Sequence, residues 1–138
     1  MYHKNQPKGH STEMNKLKIH IVEDEMIIAY DLQDMLEELG YTVNDISLSV
    51  DEVNNKLKTD DSDLFIVDIN LKGKKTGFEL EKILLDIEKP VIYMSSTTDR
   101  KAIERARTQV FMEKPFNLDD ISLAMEQVTQ KLKKLGNA

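Results

Sequence analysis

An α/β fold, a doubly wound parallel sheet with helices on both faces, is predicted by three observations. Short apolar runs alternate with amphipathic stretches along nearly the whole chain, giving five strand–helix units in succession. Strands joined through helices run parallel, and right-handed crossovers then place helices on both sides of the sheet. Four of the strand runs deliver polar groups of different chemistry at or just past their ends. Glu23-Asp24-Glu25 follows the first, Asp68 ends Leu64-Phe65-Ile66-Val67, Ser95-Ser96 follows Val91 to Met94, and Lys114-Pro115 comes after Val110-Phe111-Met112. In a parallel sheet these groups converge at one edge, where open α/β folds bind their ligands.

The elements follow in order. Residues 17–22 form an apolar run interrupted by Lys18 and His20. Residues 26–39 carry Ile28, Leu32, Met35, Leu36 and Leu39 at helical spacing, with Gly40 at the expected stop. Thr42 to Ile46 reads as a weaker strand. Ser49-Val50-Asp51-Glu52 has the form of a capping box, and Val50, Val53 and Leu57 mark one face of a short helix. Asp60 to Asp63 is a turn before the strand 64–68. Lys72 to Gly77 is a loop, and Leu80, Ile83, Leu84 and Ile87 mark the next helix. Pro90 precedes the strand 91–94. Residues 98–107 are highly charged, with Ile103 as the one large apolar side chain, so a helix there lacks a packing stripe. Residues 110–113 are a strand. Asn117 caps a last helix whose stripe is Ile121, Met125, Val128, Leu132 and Leu135, with Gly136 at its end.

The 138 residues suffice for one compact domain, read as 17–135 with a short tail at 136–138. Residues 1–16 are polar, contain Pro7 and Gly9, and lack the apolar centre of a signal peptide, so they read as a disordered leader or cloning remnant. His3 and His10 within them are expected to be solvated. With no cysteine, neither disulfides nor a thiolate metal site can form, which suits a cytoplasmic protein. No run approaches a membrane span. The net charge of −6 argues against broad nucleic-acid binding. Arg100, Lys101, Arg105 and Arg107 read as a solvated helix face or docking surface, and Lys131, Lys133 and Lys134 as complements to a helix C-terminus.

The converging acids carry a cost. At about 6 Å and an effective dielectric near 20, one pair of carboxylates repels by roughly 3 kcal/mol. A cation would relieve Glu23, Asp24 and Asp68, and an all-oxygen donor set suits Mg²⁺ better than Zn²⁺. Lys114 would place an ammonium opposite Asp68, on a Lys-Pro bond of the kind that can be cis. Ser95 would add a hydroxyl donor.

In combination, Ile21-Val22-Glu23-Asp24-Glu25, Phe65-Ile66-Val67-Asp68-Ile69-Asn70, Gly77, Met94-Ser95-Ser96 and Lys114-Pro115-Phe116 resemble the receiver domain of two-component response regulators, over residues 17 to about 132. The resemblance implies a flavodoxin-like (βα)5 fold with strand order 2-1-3-4-5. It implies that Asp68 is the phosphoacceptor and that Glu23 and Asp24 are the acidic pair. Asp24, Asp68 and the Asn70 backbone carbonyl would bind Mg²⁺ directly. Ser95 would be the switch hydroxyl, Lys114 the phosphoryl-binding lysine and Phe111 the aromatic switch, with the Asn70 and Thr97 side chains tuning hydrolysis.

The partners so implied are a sensor histidine kinase or phosphotransfer protein, an output domain or partner protein on the 96–128 face, and a second copy in a homodimer. A membrane is not among them, nor is nucleic acid bound directly. The segment from Ser95 to Lys114 is shorter than in most receivers and lacks their run of small residues. Thr76 replaces a frequent acid, and Phe111 stands where tyrosine is common. No output domain follows Ala138, so the chain is expected to be a stand-alone receiver or part of a longer regulator.

Three rival readings are weaker. A haloacid-dehalogenase-like phosphatase would need a second acid where Asn70 stands, and a cap insertion. A flavodoxin-like cofactor binder would need a phosphate-cradling loop where Glu23-Asp24-Glu25 stands. A degenerate receiver serving only as a binding module would not need the full acid set with Lys114.

Overall fold

The computed structural model describes residues 17–71, 77–96, 100–106 and 109–136. Its elements run β1 (Lys18–Val22), α1 (Met26–Glu38), β2 (Thr42–Ser47), α2 (Val50–Lys56), β3 (Leu64–Asp68), α3 (Gly77–Asp86), β4 (Val91–Ser95), α4 (Arg100–Ala106), β5 (Val110–Glu113) and α5 (Leu118–Gly136). The strands form one parallel sheet in the order β2-β1-β3-β4-β5. The expected fold and strand order are both present. Residues 1–16, with His3 and His10, lie outside the described residues, as do Lys72 to Thr76, Thr97 and Arg107. Among the described residues no helix is long and apolar enough to cross a membrane.

Continuous apolar runs follow from burial on both faces, because successive side chains point to opposite sides of a strand. Ile19, Ile21, Leu64, Ile66, Ile92, Met94, Val110 and Met112 pack beneath α1 and α5 with Leu32, Leu36, Ile121, Met125 and Val128. Val22, Phe65, Val67, Val91 and Tyr93 face the other way, toward Val50 and Val53 of α2 and Leu80 and Leu84 of α3. Each such large side chain contributes roughly 1.5–3 kcal/mol on leaving water.

Local signals mostly hold. Gly40 adopts φ 96° just past α1, a region where a side chain is strained. Ser49 Oγ accepts from Glu52 N at 3.1 Å, while Glu52 reaches back to Leu48 N at 3.3 Å. Asn117 and Asp120 cap the start of α5 reciprocally, each side chain accepting the other's N–H at 2.9 Å. Ile87 departs from its expected stripe. It lies past the end of α3 and is 45% exposed, because the chain turns through Glu88 at φ 60°.

Helix α4 forms despite its missing stripe, and Arg105 shows how. Its guanidinium sits 4.2 Å from the Phe78 ring centroid and 3.6 Å from Glu81, so this solvent-exposed side chain also makes a contact to α3. Phe78 in turn meets the edge of Tyr93.

A polar cluster lies inside the α2 side of the sheet. His20 is fully buried, stacked on Phe65 at 4.9 Å. Its Nδ1 contacts the Asp60 carboxylate and its Nε2 lies 2.7 Å from Ser47 Oγ. Lys56 also donates to Ser47 Oγ, at 3.3 Å. Burial pushes the Asp60 carboxyl up, but hydrogen bonds from Ser62 and His20 outweigh it and hold its pKa below the ordinary 3.8. A depressed carboxyl adds stability above its unfolded pKa, and that stability disappears as pH falls through the folded value. Asp60→Ala is expected to lower unfolding free energy at neutral pH by about 2 kcal/mol. Asp60→Asn should flatten the loss of stability below about pH 4. Urea unfolding of both variants across pH checks this; an unchanged acid limb in Asp60→Asn would contradict it.

Candidate functional site

The carboxyl ends of β1, β3, β4 and β5 bring the expected groups together. Backbone hydrogen bonds past the strand ends hold their carriers. Glu23 N donates to Ser47 O at 3.0 Å, Ile69 N to Met94 O at 3.1 Å, and Lys114 N to Ser95 O at 2.8 Å. The Lys114–Pro115 bond is cis.

Glu23, Asp24 and Asp68 each offer an oxygen, and the three lie within 4.8 Å of one another. Glu23 is wholly buried, Asp68 almost so, and Asp24 half-buried. Each like-charged pair at that spacing repels by about 3 kcal/mol at an effective dielectric near 20. Lys114 Nζ answers part of this charge, donating to Glu23 Oε1 at 2.6 Å and to Asp68 Oδ2 at 3.2 Å. Asp68 was the expected partner; Glu23 is the nearer one.

Burial alone would lower the Lys114 pKa, but the two carboxylates outweigh it and raise it. Burial raises the Glu23 pKa, and the Asp68 carboxylate adds to it against the pull of Lys114 and the Glu25 N–H. Three carboxylates thus face one ammonium, and the pocket is suited to a further positive charge.

Asn70 and Ser95 complete the edge. Asn70 N donates to Asp68 Oδ1 at 2.9 Å, and Ser95 Oγ donates to Asn70 Oδ1 at 2.6 Å. Ser95 is buried and Asn70 exposed. Phe111 is half-buried on the sheet face it shares with Ser95, and lines an open cleft of ≈390 Å³ with Leu123 and Ala124. Thr97 lies outside the described residues. The Ser95–Asn70 contact and the clamp of the Glu25 N–H on Glu23 Oε2 at 3.0 Å escaped sequence reasoning. Neither leaves a signal in one sequence, since both depend on how turns close after the strands.

Strand order and edge chemistry define a flavodoxin-like domain with an acid-lined site at the carboxyl end of its sheet. The chain belongs to the response regulator receiver domain family, whose model matches residues 19–126. It is similar to the transcriptional regulatory protein PdtaR of Mycobacterium tuberculosis, 25% identical over 121 residues that cover 86% of this chain and 59% of PdtaR. The chain therefore spans under two thirds of that relative's length. Among solved structures, the signal receiver domain of a modulated diguanylate cyclase from Desulfovibrio desulfuricans superposes with a TM-score of 0.77 at 28% identity, covering 88% of this chain and 98% of that one. The BeF3-activated conformation of SdrG from Pseudomonas melonis gives 0.71 at 28%, covering 80% and 94%.

Gly77, which opens α3, shows how tightly the site is built. A Cβ there would lie 2.7 Å from the Asp68 carbonyl oxygen, 2.9 Å from Ile69 Cα and 3.0 Å from Val67 Cγ1. Two of these atoms are backbone that cannot rotate aside. Gly77→Ala is expected to destabilise the domain by about 1–3 kcal/mol and to shift the amide resonances of Asp68 and Ile69. Wild-type stability and spectra in that variant would contradict it.

Proposed function

We propose that the chain is a phosphoacceptor of two-component signalling, taking a phosphoryl group on Asp68 from the phosphohistidine of a sensor kinase or phosphotransfer protein. The observation that carries this reading is the cluster of buried Glu23 and Asp68 with half-buried Asp24, in which Lys114 bridges Glu23 and Asp68. An O–P bond to Asp68 forms as the donor's P–N bond breaks, and the imidazole leaves with the electron pair. The protein contributes position and charge rather than covalent chemistry. Lys114, already against Asp68, binds the arriving phosphoryl oxygens.

Mg²⁺ fits the donor set, which is all oxygen and carries more negative charge than Lys114 offsets. By the family resemblance Asp24, Asp68 and the Asn70 carbonyl would hold the ion directly, with Glu23, which already accepts from Lys114 and the Glu25 N–H, completing the acidic set. Bound there, the ion supplies positive charge against the phosphoryl oxygens.

The added group brings nearly two negative charges to a buried edge. Ser95 turns toward it, Phe111 moves inward, and the surface over residues 96–128 changes for an output domain, a partner protein or a second copy. Carrying such an equilibrium from mostly off to mostly on takes about 5.5 kcal/mol. The domain is a signalling element that assists its own phosphorylation and dephosphorylation, not an enzyme with a separate substrate. Residues 17–135 are its folded unit, and the cytoplasm its compartment. The BeF3-activated conformation of SdrG supports a two-state reading.

Acetyl phosphate with Mg²⁺ should add one phosphoryl group by mass spectrometry, and chelation or Asp68→Asn should abolish it; an Asp68→Asn protein that labels as well as wild type ends this assignment. Asn70→Ala and Thr97→Ala should each change the dephosphorylation rate by about threefold or more, the scale of one ordinary hydrogen bond. Unaltered decay of the labelled protein would remove those residues from a tuning role.

A further inference from the structure

Asn70 touches Asp68 through its main chain and Ser95 through its side chain. From this geometry we propose that the Asn70 amide is a latch, holding the Ser95 hydroxyl away from Asp68 in the unmodified domain. The proposal deepens the phosphoacceptor reading and rests on it.

Ser95 cannot move as a whole. It ends β4, and its carbonyl accepts the Lys114 N–H at 2.8 Å. Its side chain has one soft torsion and is buried at 1% exposure, so its hydroxyl must find its acceptor within the protein. It donates to Asn70 Oδ1, at 2.6 Å. A hydroxyl carries one proton to donate. Donation to Asn70 and donation to a phosphoryl oxygen on Asp68 therefore exclude each other.

The charged acceptor is the stronger, so modification wins. The latch decides by how much, because every activation must first break the Ser95–Asn70 bond. The Asn70 main chain is anchored as well. Its N–H donates to Asp68 Oδ1 at 2.9 Å, which places the amide beside the acceptor it competes with. In this role Asn70 is a positioning residue that acts through Ser95.

A double-mutant cycle on the full chain tests the latch. Beryllofluoride is titrated at fixed, saturating Mg²⁺ and followed by amide NMR; this complex is not hydrolysed, so a rate-tuning role of Asn70 does not enter. Asn70→Ala should lower the half-saturating beryllofluoride concentration by about three- to tenfold when Ser95 is present. In the Ser95→Ala background the same change should have no effect. Equal effects in both backgrounds, or none with Ser95 present, overturn the latch.

The Ser95 Hα–Hβ couplings of the unmodified protein report the latch alone: one rotamer in the wild type, a shifted rotamer population in Asn70→Ala. A single retained rotamer in Asn70→Ala also overturns it. If the wild-type chain shows no Mg²⁺-dependent response to beryllofluoride while its rotamer result is as expected, the phosphoacceptor reading fails and the latch's signalling role falls with it.

Discussion

The Lys114 ammonium is the contact on which the functional edge depends. It reaches residues 91 and 46 positions earlier in the chain, Glu23 and Asp68, and so ties the end of β5 to the ends of β1 and β3. Without it, carboxylates would meet in a nearly dry pocket. Breaking a buried ion pair by removing one member leaves a charge with no counterpart, which costs far more than the intact pair contributes. The strand-end hydrogen bonds at Ser47, Met94 and Ser95 keep the carriers of these groups from drifting apart. Burial of Glu23 makes the arrangement stiff as well as charged.

Much of this was legible in the sequence, for reasons particular to the residues. Strands buried on both faces write themselves as Leu64-Phe65-Ile66-Val67 and Val91-Ile92-Tyr93-Met94, and polar side chains at the ends of such runs point to an edge. A parallel sheet brings those ends together whatever the loops do, so Glu23, Asp24, Asp68, Ser95 and Lys114 could be placed from the amino-acid order alone. Pairing within the set was less legible. Both acids lie within reach of Lys114, and which is nearer is a tertiary outcome that one sequence does not spell out.

Side chains that break a pattern proved hardest to read. His20 looked like an interruption in an apolar strand, whereas its partners, Asp60 and Ser47, come from distant turns and a neighbouring strand. Arg105 looked like one more solvent-facing base in a charged stretch. It does face solvent, yet it also lies over Phe78, supplying through its guanidinium some of the adhesion that α4 lacks in apolar side chains. In both cases a polar residue substitutes for packing, and periodicity analysis is blind to that exchange.

The margin of the sheet illustrates what such exchange implies. Strand β2 borders open space on one side and buries little of itself, and its ladder with β1 slips by one residue between Ile19 and His20. Greasy fit alone would leave that strand free to slide. The imidazole peg at Ser47, with Asn44 tethered to Asp61 and Ser62, singles out one alignment, because any sliding would strand a buried ring nitrogen. Since Ser47 O also receives the Glu23 N–H, the alignment chosen at the rim propagates inward, and the acidic cradle inherits its geometry from a strand that contributes none of its carboxylates.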